Sequence, residues 1–270
     1  MGYVFDADNW EWLTTGNNLR FLLEGFLINL EIAVIAIVFS LIFGLLLALG
    51  RLSPLRPLSL AAGAWVDVWR NLPLIFIILY IFLAAPESWL QAYEDNVPEF
   101  FPEALQSGAV FAGILALVLY NSAVIAEIMR AGILSLDRGQ GEAAASLGLT
   151  YPQQLRHVIL PQGLRRMVPA TVSQLITLIK DTTLVSIIAI QEVMRHGRIL
   201  SSGFTAFTGE GTQAPLLQVF IFIGALFVVT NFALSRVSRR LEIRERKRTG
   251  GTAGPVAGLE DQTALAAEAR

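Results

Sequence analysis

Long apolar runs alternate with short polar links along this chain. Runs near 23–49, 58–85, 108–129, 170–192 and 214–236 each reach the ~20 largely apolar residues that a helix needs to cross a bilayer. The pattern predicts an all-α membrane protein with about five transmembrane helices. Asp67, Arg70, Asn71 and Pro73 interrupt the second run. A proline inside a helix removes a donor and clashes with the preceding turn, so this run reads as one broken or kinked helix. The alternative is an interfacial helix followed by a short span over 72–85.

Composition and charge add a direction. Hydrophobic residues make up 54% of the chain and charged ones 16%, against about 25% charged in soluble domains, so most of the chain is solvated by lipid. An odd number of spans puts the termini on opposite sides, and cations in short loops favour the cytosol. One arrangement gathers Arg51, Arg56, Arg130, Arg138, Arg156, Arg165, Arg166 and the run from Arg236 to Arg248 on one side. It leaves Arg20, Arg195 and Arg198 on the other, beside the acidic loop of Glu87, Glu94, Asp95, Glu99 and Glu103. The N-terminus is therefore expected outside and the C-terminus inside. Residues 1–18 lack the basic start of a cleavable signal and read as an extracytoplasmic segment anchored by Trp10 and Trp12. Residues 19–248 form the membrane domain, and the Gly- and Ala-rich 249–270 reads as a disordered cytoplasmic tail. Its basic approach suits anionic lipid better than nucleic acid.

Between the third and fourth spans lies a polar segment, Glu142-Ala-Ala-Ala-Ser-Leu-Gly148, closed by Leu160-Pro161. Small alanines let another backbone approach, Glu142 offers a fixed charge, and Gly148 permits a left-handed turn between two short helices, the second opening at Pro152. That combination reads as a docking knuckle over 139–163 on the cytosolic side. The stretch resembles the EAA loop of membrane subunits of ATP-binding-cassette (ABC) importers, with Val158 where that family usually has Ile. The resemblance extends through Asn121-Ser-Ala-Val-Ile-Ala-Glu127, Gly139-Gln140, Leu160-Pro-Gln162, Lys180-Asp-Thr-Thr-Leu-Val-Ser186 and Arg70-Asn-Leu-Pro73 to permeases for polar amino acids, of the histidine, glutamine and glutamate type. Val124, Ala131, Thr183 and Asn71-Leu72 depart from that pattern. The resemblance implies a type I importer (MetI-like) permease fold, with Glu142, Ala143, Ala144, Gly148, Leu160 and Pro161 coupling to an ATPase.

Ionisable groups inside spans are costly and count as functional candidates. Asp67 and Arg70 share a helix face, which suits a local ion pair. Arg70 also stands beside the Pro73 break, where a guanidinium and freed backbone donors suit a carboxylate. Ser173, Thr177 and Leu184 form a stripe with Lys180 or Asp181, and those two point about 100° apart. One is expected to pair with another helix while its neighbour lines the pathway. Tyr120 and Glu127 share a face flanked by Asn121 and Ser122, and Glu127 suits either an ion pair at the cytosolic mouth or a substrate ammonium. The candidate pathway is thus Arg70, Asn71, Tyr120, Asn121, Ser122, Glu127, Lys180, Asp181 and Thr182, while Glu31 is expected against a partner helix.

No Gly-x-x-x-x-Gly-Lys-Ser/Thr cradle is present, and the lysines follow Ile179 and Arg246, so nucleotide phosphates are not held in that way. Without cysteine, and with only His157 and His196, the chain offers no thiolate or histidine cluster for a metal. No catalytic residue and no cofactor are expected. The resemblance implies a multi-pass permease of the bacterial cell membrane for polar amino acids, glutamate or glutamine first and basic amino acids as the alternative. It also implies two ATPase subunits, a second permease copy or a sister permease, and an extracytoplasmic substrate-binding protein. A secondary transporter would share the intramembrane charges but leave the knuckle idle. An intramembrane enzyme would need a nucleophile and base that these spans do not bring together.

Overall fold

The computed structural model describes residues 10–202 and 214–248. The helices are α1 (Glu11–Thr14), α2 (Asn18–Arg51), α3 (Arg56–Asn71), α4 (Leu74–Ala84), α5 (Glu87–Asn96), α6 (Gly108–Leu134), α7 (Arg138–Ser146), α8 (Tyr151–Gln154), α9 (Leu160–Asp181), α10 (Val193–Ser201) and α11 (Leu216–Arg248). The expected tail over 249–270 and the first nine residues of the N-terminal segment lie outside the described residues.

Helix α2 packs along α6 to make the core. Its inward face sets small and polar residues, Gly25, Asn29, Ala33, Ala36, Ser40, Gly44 and Ala48, among the larger Leu22, Phe26, Ile28, Ile32 and Ile37. Large residues such as Leu27, Val34, Val38 and Leu46 point outward. Large apolar residues on both sides, with small ones at the helix contact, are expected where lipid is as apolar as the interior and close backbone packing drives association. At Gly44 a Cβ would fall 2.7 Å from Ile125 Cγ2 and 3.1 Å from the Ser122 carbonyl oxygen, so the α2 backbone rides directly on α6.

Four continuous helical stretches, 18–51, 108–134, 151–188 and 216–244, are long and apolar enough to span. The second expected span differs from a simple kink. Helices α3 and α4 meet at 104°, because Leu72 and Pro73 are both extended, with ψ of 135° and 130°. Proline forbids its predecessor the helical region, and two consecutive extended residues turn a break into a corner. Helix α4 alone, at 11 residues, is roughly 16 Å long and cannot cross a ~30 Å core. It counts as a span only together with α3.

The fourth span begins lower than the apolar run alone indicates. Five residues, Leu155–Ile159, form a π-helical turn between α8 and α9. Pro161 explains it, since it offers no amide to close a regular turn and crowds the carbonyl four residues back. Beyond Asp181 the chain tightens into a 3₁₀ turn, Thr182–Ile188, and reverses at Ala189, which takes the left-handed conformation with φ 64°. Then α10 folds back against α2 and α11.

Candidate functional site

The knuckle is built from local chemistry. Asp137 caps α7 by accepting the Gly139 amide at 2.8 Å. Helix α7 ends where Gly148 adopts φ 78°, a conformation open to glycine at little cost. Thr150 then opens α8 through a reciprocal cap, its own amide donating to Gln153 Oε1 at 2.9 Å. Ala144 is buried, on a helix that packs against α8 and the π-helical turn, whereas Glu142, Ala143 and Gly148 are exposed and Leu147 is 82% accessible. Leu160 is half-buried and Pro161 exposed at the return. Two contacts brace the segment against the stem: Gln162 Nε2 donates to Gln140 Oε1 at 3.1 Å, and the Arg166 guanidinium donates to the Ser135 carbonyl at 2.6 Å. A third reaches further, from the Tyr151 hydroxyl to the Leu52 carbonyl at 3.0 Å.

A charged cluster lies on the same side of the bundle. Glu127, on α6, is its hub. Its carboxylate accepts from Arg51 at 2.9 Å and from Arg130 Nε at 3.0 Å, with Arg70 at 4.0 Å. Arg51 also reaches Asp67 at 3.4 Å. The sequence-based ion pair of Asp67 with Arg70 is thus replaced by one of Asp67 with Arg51, because the short link at 52–55 folds α3 back against the end of α2. Asn71 turns its amide onto the Asp67 carbonyl at 2.6 Å. An open cavity of about 510 Å³ lies alongside, lined by Arg51, Ser59, Gly63, Asp67 and Arg130 among others.

The remaining candidates divide by position. Asn121 and Ser122 are buried within the bundle, where Gln174 on α9 donates to Asn121 Oδ1 at 2.7 Å and Ser122 bonds back to the Leu119 carbonyl. Tyr120 is half-buried beside them. Lys180 is exposed and Asp181 half-buried at the far end of α9, and Thr182 is fully buried. Thr182 meets Asn29, which lies 22 positions before Arg51 on α2 and so roughly 33 Å along it. Arg70 and Lys180 therefore belong to opposite ends of the bundle.

Sequence reasoning missed the polar node at that far end. Asn29 Nδ2 donates to Thr182 Oγ1 and to Glu192 Oε2, both at 3.0 Å, and Asn29 Oδ1 accepts the Val193 amide at 3.1 Å. Glu192 Oε1 accepts the Arg195 amide at 2.9 Å, capping α10. Burial lifts the Glu192 carboxyl to about 6, only partly offset by these donors and by Arg198. His196 stacks on Phe21 and bonds its carbonyl through Nδ1 at 2.7 Å, and burial holds its pKa below the usual imidazole value. The signal was an asparagine in the middle of an apolar run, which interhelical hydrogen bonding explains.

With this geometry in place, the comparisons with known proteins can be read. A family described as "Binding-protein-dependent transport system inner membrane component" matches residues 20–246. The probable glutamine ABC transporter permease protein GlnP of Bacillus subtilis (strain 168) is 37% identical over 228 residues, covering 84% of this chain and 95% of that protein. The glutamate/aspartate import permease protein GltK of Escherichia coli O6:H1 is 32% identical over 242 residues, covering 90% and 99%. Among solved structures, one described as an amino acid ABC transporter with histidines aligns at a TM-score of 0.66 and 29% identity, over 84% of this chain and 94% of the other.

Proposed function

Because this chain belongs to the family of binding-protein-dependent transport system inner membrane components, we propose that it forms the translocation pathway for glutamine or glutamate in a bacterial ABC importer. It is a multi-pass subunit of the inner membrane with the fold of such permeases, and it transports rather than catalyses. Membership in the family implies a separate ATPase and a substrate-binding protein. The complete pathway needs a second permease, either another copy or a sister chain.

The observation that carries the reading is the knuckle. A capped nine-residue helix, Arg138–Ser146, stands clear of the bundle with Glu142, Ala143 and Leu147 uncovered, a surface with no purpose in a subunit that works alone. In this reading Glu142, Ala143, Ala144, Gly148, Leu160 and Pro161 seat in a groove on the ATPase. ATP-driven closure of the two ATPases then displaces the knuckles and opens the pathway outward, where the binding protein delivers substrate. Hydrolysis resets the bundle. The α6 and α9 polar groups together with Arg70 and Glu127 line successive stations of the route, and the N-terminus lies outside. The choice of substrate is supported by the similarity to GlnP and GltK.

The test is uptake of labelled glutamine into vesicles carrying the full complex, with unlabelled glutamate and arginine as competitors. Glutamate or unlabelled glutamine is expected to compete and arginine to be weak, and uptake is expected to require ATP and survive collapse of ion gradients. Competition by arginine alone would reassign the substrate to basic amino acids. Glu142→Lys is expected to leave membrane insertion intact and abolish uptake. Wild-type uptake in that variant would remove the coupling role of the knuckle.

A further inference from the structure

The C-terminus of α2 is tied to three other elements at once. A helix end leaves its last carbonyls without intrahelical partners, and here two of them are taken by side chains from elsewhere. The Leu52 carbonyl accepts the Tyr151 hydroxyl of the knuckle at 3.0 Å. The Arg51 carbonyl accepts the Ser59 hydroxyl of α3 at 2.9 Å. The Arg51 side chain, 20% exposed, then bridges Asp67 on α3 and Glu127 on α6. Asp67 lies in the last turns of α3, just ahead of the 104° corner into α4. Helix α4 in turn packs against α6 and the 3₁₀ turn at 182–188.

We propose that Tyr151 and Arg51 are positioning residues that carry displacement of the knuckle into the α3–α4 corner, through the end of α2. This rests on the reading of 139–163 as the ATPase-coupling segment. The knuckle is stiff enough to act as a lever. Thr150 and Gln153 fix the turn that bears Tyr151, the Gln140–Gln162 contact holds α7 to the base of α9, and Arg166–Ser135 holds that base to the end of α6. A force applied at Leu147 or Glu142 moves this unit as a body. The Tyr151 hydroxyl bonds it to the end of α2. Beyond it, Nη1 of Arg51 meets carboxylates on two helices, Glu127 at 2.9 Å and Asp67 at 3.4 Å, and it lies one bond farther from the backbone than the nitrogen of a lysine would. The corner is where such a pull has effect, since Leu72 and Pro73 are extended and Pro73 has no amide with which to bond back into α3.

Spatial contiguity becomes mechanical linkage only if the residues are energetically coupled, which a double-mutant cycle reads. The complex of permease, ATPase and binding protein in lipid vesicles is assayed for substrate taken up per ATP hydrolysed, with Tyr151→Phe, Arg51→Lys and the pair. Tyr151→Phe deletes one hydroxyl, and loss of a single hydrogen bond is expected to lower the ratio about fivefold. Arg51→Lys is expected to act similarly, and the double variant to be no worse than the worse single, as for links in series. A wild-type ratio in Tyr151→Phe overturns the proposal, as does a double variant whose loss is the product of the two. Loss of ATPase copurification in Tyr151→Phe also overturns it, by placing that residue in the docking surface. Failure of the underlying reading looks different, since Glu142→Lys would then transport normally whatever Tyr151 does.

Discussion

Glu192 shows how one buried carboxylate organises the end of the bundle. It is fully buried, caps α10 and receives Asn29 from α2. Its carboxyl titrates near 6 rather than at its ordinary 4.5, so the folded state holds its proton more tightly than the unfolded state does. The stability that this proton contributes is full below pH 4.5 and is lost as pH rises through about 6, a difference of about 2 kcal/mol. Thermal melting in detergent between pH 4.5 and 7 should therefore show wild type losing stability by about that amount relative to Glu192→Gln, whose side chain does not titrate. A pH-independent difference would mean that the donors around Glu192 cancel its desolvation. Asn29 inside an apolar run was a visible signal, but its partner was not, because the pairing with Glu192 spans 163 positions and periodicity reports only which face a residue takes. The hub at Glu127 was legible by contrast, since an acid in an apolar run needs a partner. That Arg51 supplies it was not, because Arg51 lies at the end of its own helix and meets Glu127 only through the packing of α2 along α6.

At the scale of elements, close backbone crossings fix where the knuckle emerges. Gly132 on α6 and Gly163 on α9 face each other. A Cβ on Gly163 would lie 2.8 Å from Ile133 Cγ1 and 3.1 Å from Ile133 Cα, and one on Gly132 would lie 3.1 Å from the Gly163 carbonyl oxygen. Gly163→Val is expected to force the base of α9 away from α6, costing about 1–3 kcal/mol as overpacking does. Because that base is the stem of the knuckle, ATPase copurification should weaken in the same variant. Gly224→Ala on α11 is the matched control, since nothing lies within 4 Å of the added carbon, and its melting temperature should stay level or rise slightly. A Gly163→Val protein with unchanged melting would show that α9 shifts without cost. Span existence was readable from composition alone because lipid rewards any uniformly apolar helix. The angle between α3 and α4 was not, since a proline announces a break while its neighbours' backbone angles decide its direction. Likewise the apolar run understated α9, whose lower half is held by Pro161, the π-helical turn and contacts to α6 rather than by hydrophobicity.

Across the whole molecule, geometry and charge constrain sidedness independently. Helix α6 runs straight from Gly108 to Leu134, so the loop before it and the knuckle after it lie on opposite faces. The Tyr151–Leu52 and Arg51–Glu127 contacts put the end of α2 on the knuckle's face, and the Asn29–Thr182 contact puts α10 toward the other. That partition gathers Arg51, Arg56, Arg130, Arg138, Arg156, Arg165 and Arg166 on one side, and Glu87, Glu94, Asp95, Glu99 and Glu103 on the other. From the positive-inside rule we propose that the arginine-rich face is cytosolic, which is where the proposed ATPase would meet the knuckle. The chain contains no cysteine, so single introduced thiols report without background. Asp95→Cys and Leu147→Cys sit at exposed positions on the two faces. A membrane-impermeant maleimide should modify Asp95→Cys in intact cells, and Leu147→Cys only after the membrane is opened. Modification of Leu147→Cys from outside would put the knuckle beyond reach of a cytosolic motor, and both the coupling role and the Tyr151 link would fall with it.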